Sequence, residues 1–424
     1  MPVRHVAPPP GALAATGARR RRPGSVLAVS SHDPELVLRP VSAEEYLAFI
    51  RTQTSASFLQ VPAWGSVKTE WRHESVGWFR RGNADGGVAD QAAEEMVGAA
   101  LVLYRQLPKV KRYLAYLPEG PVIDWGSLTG PDVHLSDWFT PLLAHLKRQG
   151  AFGVRIGPPV VTRRWSSAQV KEGISDPAVR RLDDIAPLER SVTGAAVVSQ
   201  LNELGWIPQS VEGGFAAGQP QYNFHVPLTV AGRPKTEDEV LKGMNQLWRR
   251  NIKKAAKEGV VVSRGTRDDL AAFHALYVHT AERDHFTPRP LSYFEKMWDA
   301  LTPEEEDRFV LHLAHHEGDM VAATISIRVG AHAWYSYGAS STEKREVRGS
   351  NAVQWEMIRS ALAAGAAVYD MRGITDTLDA DDPHVGLIQF KVGTGGEAVE
   401  YVGEWDMPIN RLLYKAFDLY MKRR

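Results

Sequence analysis

Apolar and polar residues follow a helical or strand-like spacing in successive segments of the chain. In the first half, amphipathic runs predict helices, and short apolar or alternating runs predict strands. The predicted helices are residues 41–51 and 136–148, and the predicted strands are residues 97–105, 113–117 and 152–156. Ser42, with Glu45 three residues later, has the sequence of a capping box, and Ser136 is the expected N-cap of the second helix. This alternation predicts an α/β fold.

A second series of similar order begins near Asn202. Its predicted strands are residues 224–228, 260–263, 309–315, 320–329, 333–337 and 367–371. Its predicted helices are residues 237–258, 267–284, 292–301, 350–364 and 408–422. The repeated order predicts two copies of one α/β unit.

Near the C-terminus an apolar run ends on Lys391 and opens at once into glycines at residues 393–396. We predict that a strand delivers Lys391 into a glycine-rich turn, where few side chains would obstruct a ligand. The alternative is a lysine on an edge strand, with its apolar stem packed and its ammonium in water.

Length and composition narrow the class of protein. A chain of 424 residues is too long for one compact core, which predicts two domains. Basic and acidic residues number 50 each, so a local patch rather than net charge must bind any anionic partner. The absence of cysteine excludes disulfides, thiolate zinc sites and a cysteine nucleophile. No window approaches the roughly 20 apolar residues of a membrane-spanning helix, which predicts a soluble or peripheral protein.

Two segments lack hydrophobic periodicity. Residues 1–35, with prolines and an arginine run at residues 19–22, are interpreted as a disordered basic arm. Residues 82–95 are polar and contain glycine, and we interpret them as a long hairpin loop.

The fourteen histidines do not predict a metal site. His312, His315 and His316 lie beside Glu317, but without an ordered ligand spacing, and we interpret them as residues of a surface turn. His285 could act as a general base beside Asp284, although a loop position is the simpler interpretation.

An ordered series of short motifs between about residues 40 and 412 resembles the FemABX family of aminoacyl-tRNA-dependent transferases, which build peptidoglycan cross-bridges. The motifs are Leu59-Gln60, Trp64-Gly65-Ser66-Val67-Lys68, Tyr116 to Val122, Arg249 to Ala255, Thr280 to Arg283, Arg289 to Tyr293, Tyr337 to Ser340, Gln354 to Ile358, Tyr369-Asp370, Phe390-Lys391 and Tyr401 to Glu404.

The resemblance implies two GNAT-like domains packed side by side, without the coiled-coil arm that some family members carry. It implies that domain 1, which binds the precursor, comprises residues 36–200 and 403–424, because the C-terminal helix packs back on it. Domain 2 would comprise residues 201–402.

The resemblance also implies an aminoacyltransferase that moves Gly, Ala or Ser from aminoacyl-tRNA to the stem peptide of a peptidoglycan precursor. The acceptor would be UDP-MurNAc-pentapeptide or lipid II. The tRNA is then a co-substrate, with no cofactor, no metal and no DNA partner expected. Such an enzyme would act in the cytoplasm or at the inner face of the membrane.

By the same resemblance, Lys391 and Phe390 form the catalytic motif, in which the lysine stabilises an oxyanion or a terminal phosphate. Lys68, Arg289, Tyr293 and Tyr337 would bind the diphosphate and the sugar or peptide portion of the precursor. Arg289 and Tyr293 share one face if both are helical.

A basic stretch within the predicted helix of residues 237–258 is the candidate surface for tRNA, with anionic lipid or a solvated face as alternatives. Its candidate contacts are Arg249, Arg250, Lys253, Lys254 and Lys257.

Two residues depart from the family pattern. Gly157 stands where an aspartate is frequent, and Glu119 stands where an arginine often precedes Gly-Pro-Val. Two other functions stay open at this point. One is an acyl-CoA-dependent N-acetyltransferase, although no glycine-rich loop follows a central strand. The other is an envelope-precursor binding protein without catalytic activity.

Overall fold

The computed structural model describes residues 36–80, 94–209, 218–382 and 384–422. The predicted basic arm, with its arginine run, lies outside the described residues, as does most of the predicted loop at residues 82–95.

The described chain contains short and long strands in both halves. In chain order they are β1 (Val37–Pro40), β2 (Arg72–Arg80), β3 (Glu95–Gln106), β4 (Tyr113–Leu117), β5 (Ala151–Ile156), β6 (Val161–Ser166), β7 (Glu189–Arg190), β8 (Ile207–Pro208), β9 (Tyr222–Pro227), β10 (Thr229–Val230), β11 (Arg233–Pro234), β12 (Val261–Arg264), β13 (Phe309–His316), β14 (Asp319–Val329), β15 (His332–Ser340), β16 (Val368–Ile374), β17 (Glu397–Tyr401) and β18 (Trp405–Pro408).

Helices alternate with these strands. They are α1 (Ala43–Thr52), α2 (Pro62–Val67), α3 (Leu135–Arg148), α4 (Ser167–Ser175), α5 (Val192–Glu203), α6 (Glu237–Gly243), α7 (Gln246–Lys257), α8 (Leu270–Asp284), α9 (Leu291–Leu301), α10 (Gly349–Ala363), α11 (Val385–Val392) and α12 (Arg411–Lys422). Short 3-10 turns lie at Phe58–Gln60, Trp125–Thr129, Leu182–Asp184 and Arg345–Val347.

The larger strands form two mixed sheets. The first has the order β1-β2-β3-β4-β5-β18-β8, and its only parallel pair among the described strands is β4 with β5. The second has the order β12-β13-β14-β15-β16-β9-β17-β6-β7, with β15 and β16 parallel. Strands β10 and β11 form a separate small hairpin. The sheets therefore share one plan, in which a parallel pair interrupts an antiparallel sheet.

One apolar core joins the two sheets. Leu101 and Leu103 of β3 belong to the same buried cluster as Ile325 and Ile327 of β14. Helices α1 and α2 and helices α8 and α9 supply most of the remaining side chains of this cluster. Two further cores cover the opposite faces, with α3 and α5 on the first sheet and α7, α10 and α11 on the second.

The predicted domain division remains a prediction. Strand β18, after residue 403, pairs with β5 of the first sheet, and α12 packs on β5. Strands β6 and β7, which precede residue 200, pair in the second sheet.

The helix caps show how local sequence sets the element boundaries. The predicted capping box is present in α1, where the Glu45 amide donates to Ser42 Oγ at 3.1 Å and the Ser42 amide donates to Glu45 Oε2 at 2.8 Å. The prediction of Ser136 as an N-cap is wrong. Helix α3 begins earlier, after His134, because the Asp137 carboxylate accepts the His134 amide at 3.2 Å.

The predicted single helix at residues 237–258 is also wrong, because it is two helices. Met244 is extended, and Asn245 Oδ1 accepts the Trp248 amide at 2.9 Å, which caps a new helix. The asparagine side chain competes with helical hydrogen bonding and favours a cap. Only α7 then carries the basic residues from Arg249 onward.

The predicted strand before the glycines is wrong as well. Lys391 lies in the last turn of helix α11, which ends where residues 393–396 begin. Its apolar run is short, and a short apolar run does not distinguish a buried helix from a buried strand.

The contribution of Asp406 to stability can be tested, because this residue of β18 contacts both β5 and α12. This fully buried carboxylate accepts Arg155 Nε at 2.7 Å and the Tyr414 hydroxyl at 2.6 Å. We expect Asp406→Ala to lower the free energy of unfolding by about 3 kcal/mol, because Arg155 would lose its buried partner. The exposed Arg267–Asp299 pair is the matched control. Asp299→Ala should change the free energy of unfolding by less than about 1 kcal/mol. If urea unfolding shows the same loss of unfolding free energy for both variants, this expectation is contradicted.

Candidate active site

The four residues predicted to bind the precursor lie around one tyrosine ring. Lys68 follows α2, Arg289 precedes α9, Tyr293 lies at the start of α9 and Tyr337 lies on β15. Lys68 Nζ is 5.2 Å and Arg289 Cζ is 5.3 Å from the centroid of the Tyr293 ring. The Tyr337 hydroxyl donates to the Tyr293 hydroxyl at 3.3 Å. Arg289 is not helical, so its contact with Tyr293 is made across the turn at Pro290.

The two cations of this group lack acidic partners. Within the described ranges, neither Lys68 nor Arg289 forms an ion pair with a carboxylate. Burial lowers the pKa of Lys68, and the charge of Arg289 lowers it further against the opposing effect of Glu70. Two neighbouring cations without an ion-pair partner in the described chain favour the binding of an anion, which would relieve their repulsion.

A row of aromatic side chains leads from this cation pair into the space between the sheets. Lys68 Nζ lies 5.5 Å from the Trp64 ring centroid. The Phe58 ring meets the rings of Trp64 and Trp334 edge to face, each at 5.3 Å between centroids. At the other end, Arg372 Cζ lies 5.5 Å from the centroid of Phe58. The row therefore connects two groups of charged residues.

The second group is centred on an ion pair between the sheets. Arg372 of β16 donates to Glu119 Oε1 at 2.7 Å and to Gln219 Oε1 at 2.9 Å. Glu119, only 4% exposed, also accepts the Ser57 hydroxyl at 2.6 Å. Arg372 has φ of 63°, a left-handed conformation that is uncommon for a side chain of this size. Glu119, a departure from the family pattern, is thus the acid that neutralises Arg372.

Asp370, two residues before Arg372, is a fully buried carboxylate. It accepts the Arg372 amide at 2.6 Å, and its Oδ2 lies 3.3 Å from His332 Nε2 and 3.4 Å from His225 Nε2. Burial acts to raise the pKa of Asp370, but the attraction and hydrogen bonds of the two histidines hold it well below its usual value. His225 also hydrogen-bonds the Tyr401 hydroxyl at 3.0 Å.

The donor atoms of Asp370, His225 and His332 lie within 4.8 Å of one another, a spacing that a metal ion could also use. The hydrogen bonds and close charge contacts already give the carboxylate a partner on each side. We therefore interpret the group as a buried hydrogen-bonded network, and the expected absence of a metal stays a prediction.

Lys391 lies against the backbone of β16. Its Nζ donates to the carbonyl oxygens of Arg372 at 3.2 Å and Gly373 at 2.7 Å, and the residue is 3% exposed. Burial lowers the pKa of Lys391 to about 7, with attraction by Asp370 opposing this and repulsion by Arg372 adding to it. An ammonium has three N–H donors, so two carbonyl contacts leave one donor for a ligand.

Phe390 holds α11 against the basic helix α7. Its ring lies 4.8 Å from the Trp248 ring, and its carbonyl accepts the Trp248 indole N–H at 2.9 Å. Gly393 is required beside them, because a side-chain carbon there would overlap the Trp248 indole. The Phe-Lys motif therefore links Lys391 to α7 through packing.

The candidate tRNA contacts on α7 differ in their exposure. Trp248 and Ala255 are buried, which turns the opposite side of the helix outward. Arg249 donates to the backbone carbonyls of Lys242 and Met244, and these hydrogen bonds stabilise the segment between α6 and α7. The other four candidates are exposed or half-buried and form no ion pair in the described chain: Arg250, Lys253, Lys254 and Lys257.

The second sheet opens beside the buried network. β15 and β16 are hydrogen-bonded from His332 and Val368 only as far as Trp334 and Asp370. Beyond these residues, β15 continues to Ser340 and β16 to Ile374 without pairing to each other. Arg372 and the carbonyl partners of Lys391 thus lie where the two parallel strands separate.

Gly157 leaves room for another acid. A side-chain carbon at Gly157 would lie 3.1 Å from Glu404 Cγ. Glu404 accepts the Tyr116 hydroxyl at 2.6 Å and the Gln219 amide at 3.2 Å, and burial raises its pKa. In this chain the carboxylate next to Gly157 is therefore that of Glu404.

Among the residues that the structure describes, the histidines outside this region do not form a common site. His312 is buried and contacts Ser326 Oγ at 3.1 Å, so its interpretation as a surface turn residue is wrong. It faces inward because it lies within β13 rather than at its end. His285 is the exposed left-handed residue that ends α8.

Several residues of the buried network were missed by sequence reasoning. Asp370 was noted within a motif but had no role, and Arg372, His225 and His332 were not considered. The available signal was the segment Tyr369 to Ile374, where two charged residues interrupt an otherwise apolar strand. Such residues are paired when they are buried.

The described strands and helices form two α/β units whose sheets share one plan, as the sequence predicted. The chain belongs to the FemAB family, whose model matches residues 41–317 and 304–422. A solved structure described as FemX is similar over 89% of this chain and 99% of that chain, with a TM-score of 0.70 and 22% sequence identity. The predicted family is therefore confirmed.

Curated relatives of similar length have a named activity. The lipid II:glycine glycyltransferase of Staphylococcus saprophyticus is 24% identical, covering 89% of this chain and 94% of the relative. The enzyme of the same name from Staphylococcus aureus strain USA300 is 23% identical with the same coverage. The predicted class of enzyme, an aminoacyltransferase, is confirmed by these relatives. Among the described residues, no helix has the length and apolar character needed to cross a membrane.

The contact between Gly393 and Trp248 allows a matched test within one short segment. We expect Gly393→Ala to lower the free energy of unfolding by about 1–3 kcal/mol, because the new methyl group overlaps the indole that holds α7. Gly386, within helix α11, has no atom within 4 Å of the equivalent position. Gly386→Ala should therefore be neutral or stabilising by up to about 1 kcal/mol. Urea unfolding checks both variants, and equal destabilisation would show that α7 does not depend on this packing.

Proposed function

We propose that this protein is an aminoacyl-tRNA-dependent transferase that adds one small amino acid, Gly, Ala or Ser, to the stem peptide of a peptidoglycan precursor. The observation that carries the proposal is the pair of cations, Lys68 and Arg289, which lie at the Tyr293 ring and form no ion pair with a carboxylate in the described chain. The named activity of the staphylococcal relatives supports the same acceptor class.

The cation pair suits the diphosphate of the precursor. An arginine offers a fork of donors to phosphate oxygens and a lysine offers a compact charge, so together they can bind two linked phosphates. The hydroxyls of Tyr293 and Tyr337 lie 3.3 Å apart and can donate to the same ligand. Both the nucleotide-linked and the lipid-linked precursor carry a diphosphate, so this site accepts either form.

The reaction mainly requires that the two reactants are correctly positioned and that the developing negative charge is stabilised. The acceptor amine attacks the ester carbonyl of the charged tRNA, a C–N bond forms, and the C–O bond to the ribose breaks. The ribose hydroxyl leaves with the proton that the amine gives up. Because the ester is already activated, binding in the correct orientation and stabilisation of the oxyanion supply most of the acceleration.

We assign the stabilising charge to Lys391. Two backbone carbonyls fix its ammonium group at the point where β15 and β16 separate, and one N–H donor stays available. Phe390 contributes by packing on Trp248, which positions the helix that carries Lys391. In this role Phe390 is a positioning residue rather than one that contacts substrate.

The proposal is tested by mixing the purified protein with charged tRNAs and either precursor, and detecting products by mass spectrometry. We expect a product heavier by one amino acid, which ribonuclease abolishes. Lys68→Ala and Arg289→Ala should each weaken precursor binding about tenfold or more, because each removes a charge-assisted contact. Arg267→Ala, which removes a paired surface arginine, is the control and should have no effect.

The outcomes distinguish the alternative functions. Acetylation from acetyl-CoA, or a product that ribonuclease does not affect, would contradict the tRNA-dependent reaction. Precursor binding without any transfer would favour a binding protein. Unchanged binding in both cation variants would show that the diphosphate binds elsewhere.

The basic helix is tested separately through its dependence on salt. We propose that α7 contacts the tRNA backbone through its exposed cations. Lys253→Ala/Lys254→Ala should reduce the slope of log affinity against log salt concentration by about one to two. Lys111→Ala/Lys415→Ala removes two exposed lysines elsewhere and should leave the slope unchanged. Equal slopes in all three proteins would indicate that α7 is only a solvated face.

A further inference from the structure

Helix α12 has an apolar face without a protein partner in the described chain. Its inner side buries Tyr414 and Phe417, and Phe417 packs on Phe152 of β5 at 5.4 Å between ring centroids. On the opposite side, Leu412 and Leu419 are 79% and 52% exposed. These leucines are seven residues apart, so they lie on one side of the helix two turns apart.

The hairpin between β3 and β4 lies beside α12. Leu107, at the start of the hairpin, packs on the same small core as Leu413 and Met421 of α12. Val110, at the tip of the hairpin, is 45% exposed. Exposed aliphatic side chains therefore lie on two neighbouring elements at the same end of the first sheet.

Exposed cations lie on the same elements as these aliphatic residues and on the end of α3. The Tyr113 amide donates to the Gly150 carbonyl at 3.2 Å, which places the end of α3 beside the hairpin. The cations on the hairpin, on the end of α3 and on α12 are Lys109, Lys111, Arg112, Lys147, Arg148, Arg411 and Lys415. In the part of the chain that the structure describes, none of the seven forms an ion pair with a carboxylate.

We propose that these residues form a lipid-binding surface, consisting of the seven cations with Val110, Leu412 and Leu419, which binds the anionic face of a bilayer. Aliphatic side chains can enter the headgroup region, and cations near the surface each strengthen binding to anionic lipid about fivefold. The charge of the surface is complementary to such lipids, and its apolar residues are exposed in the described chain.

Nucleic acid is the less favoured occupant. A phosphate backbone would be bound by the cations alone and would leave the leucines exposed to water, since nucleic-acid surfaces use aromatic rather than aliphatic platforms. Two exposed leucines on a helix with unpaired lysine and arginine are instead typical of helices that lie in a membrane interface.

The inference extends the proposed function, because an enzyme held at the bilayer would meet a lipid-linked acceptor there. It does not depend on transfer activity. Vesicle binding needs neither tRNA nor precursor, so loss of binding and loss of transfer are separate results.

The test is co-sedimentation of the full chain with vesicles of phosphatidylcholine alone or with added phosphatidylglycerol. We expect binding that requires phosphatidylglycerol and weakens as salt is raised. Leu412→Ser/Leu419→Ser and Lys111→Glu/Lys415→Glu should each reduce the affinity at least about tenfold. Lys253→Glu/Lys257→Glu, which changes exposed cations of α7, is the matched control and should bind as the wild type does.

All six substitutions lie at exposed positions, and unchanged thermal unfolding will show that the variants fold. No binding to phosphatidylglycerol vesicles, or an equal loss in the α7 control, would overturn the proposal. It would also be overturned if the surface variants lost affinity for tRNA while keeping their affinity for vesicles.

Discussion

The ion pair between Arg372 and Glu119 is the contact on which the candidate site depends. Glu119 follows β4 of the first sheet, and Arg372 lies on β16 of the second, so their 2.7 Å contact joins the two halves of the fold. Removal of either partner alone would leave the other charge buried without compensation, which is strongly destabilising. The carbonyl of Arg372 in turn accepts from Lys391. Sheet packing and the position of the lysine are therefore coupled.

The two charged groups of the site differ in a way that indicates different tasks. Arg372 and Asp370 have their partners within the protein, which makes their surroundings rigid before any ligand binds. Lys68 and Arg289 have aromatic neighbours but form no ion pair among the described residues, so their charge is available to a ligand. The first group positions Lys391, and the second is suited to bind the anionic precursor. An aromatic row from Trp64 to Trp334 connects the two.

The fold class, the family and most helices and strands could be predicted from the sequence, because capping boxes and apolar periodicity are local signals. Sequence reasoning also grouped Lys68, Arg289, Tyr293 and Tyr337, although only through the family resemblance. It failed where tertiary packing decides the outcome. The helix of Lys391 is a short apolar run without a distinguishing period, and the network of Asp370 joins residues that are distant in the chain.

If the charged form of Lys391 stabilises the transition state, the advantage of the wild type over a variant without this charge depends on pH. The measurement is the ratio of kcat/KM for the wild type to that for Lys391→Met, which fills similar space without a charge. With a pKa of about 7, Lys391 is charged below that pH and loses its charge above it. The ratio should be about 100 or more at low pH and fall towards one as pH rises through 7. A ratio that is constant, or that increases with pH, would contradict this role.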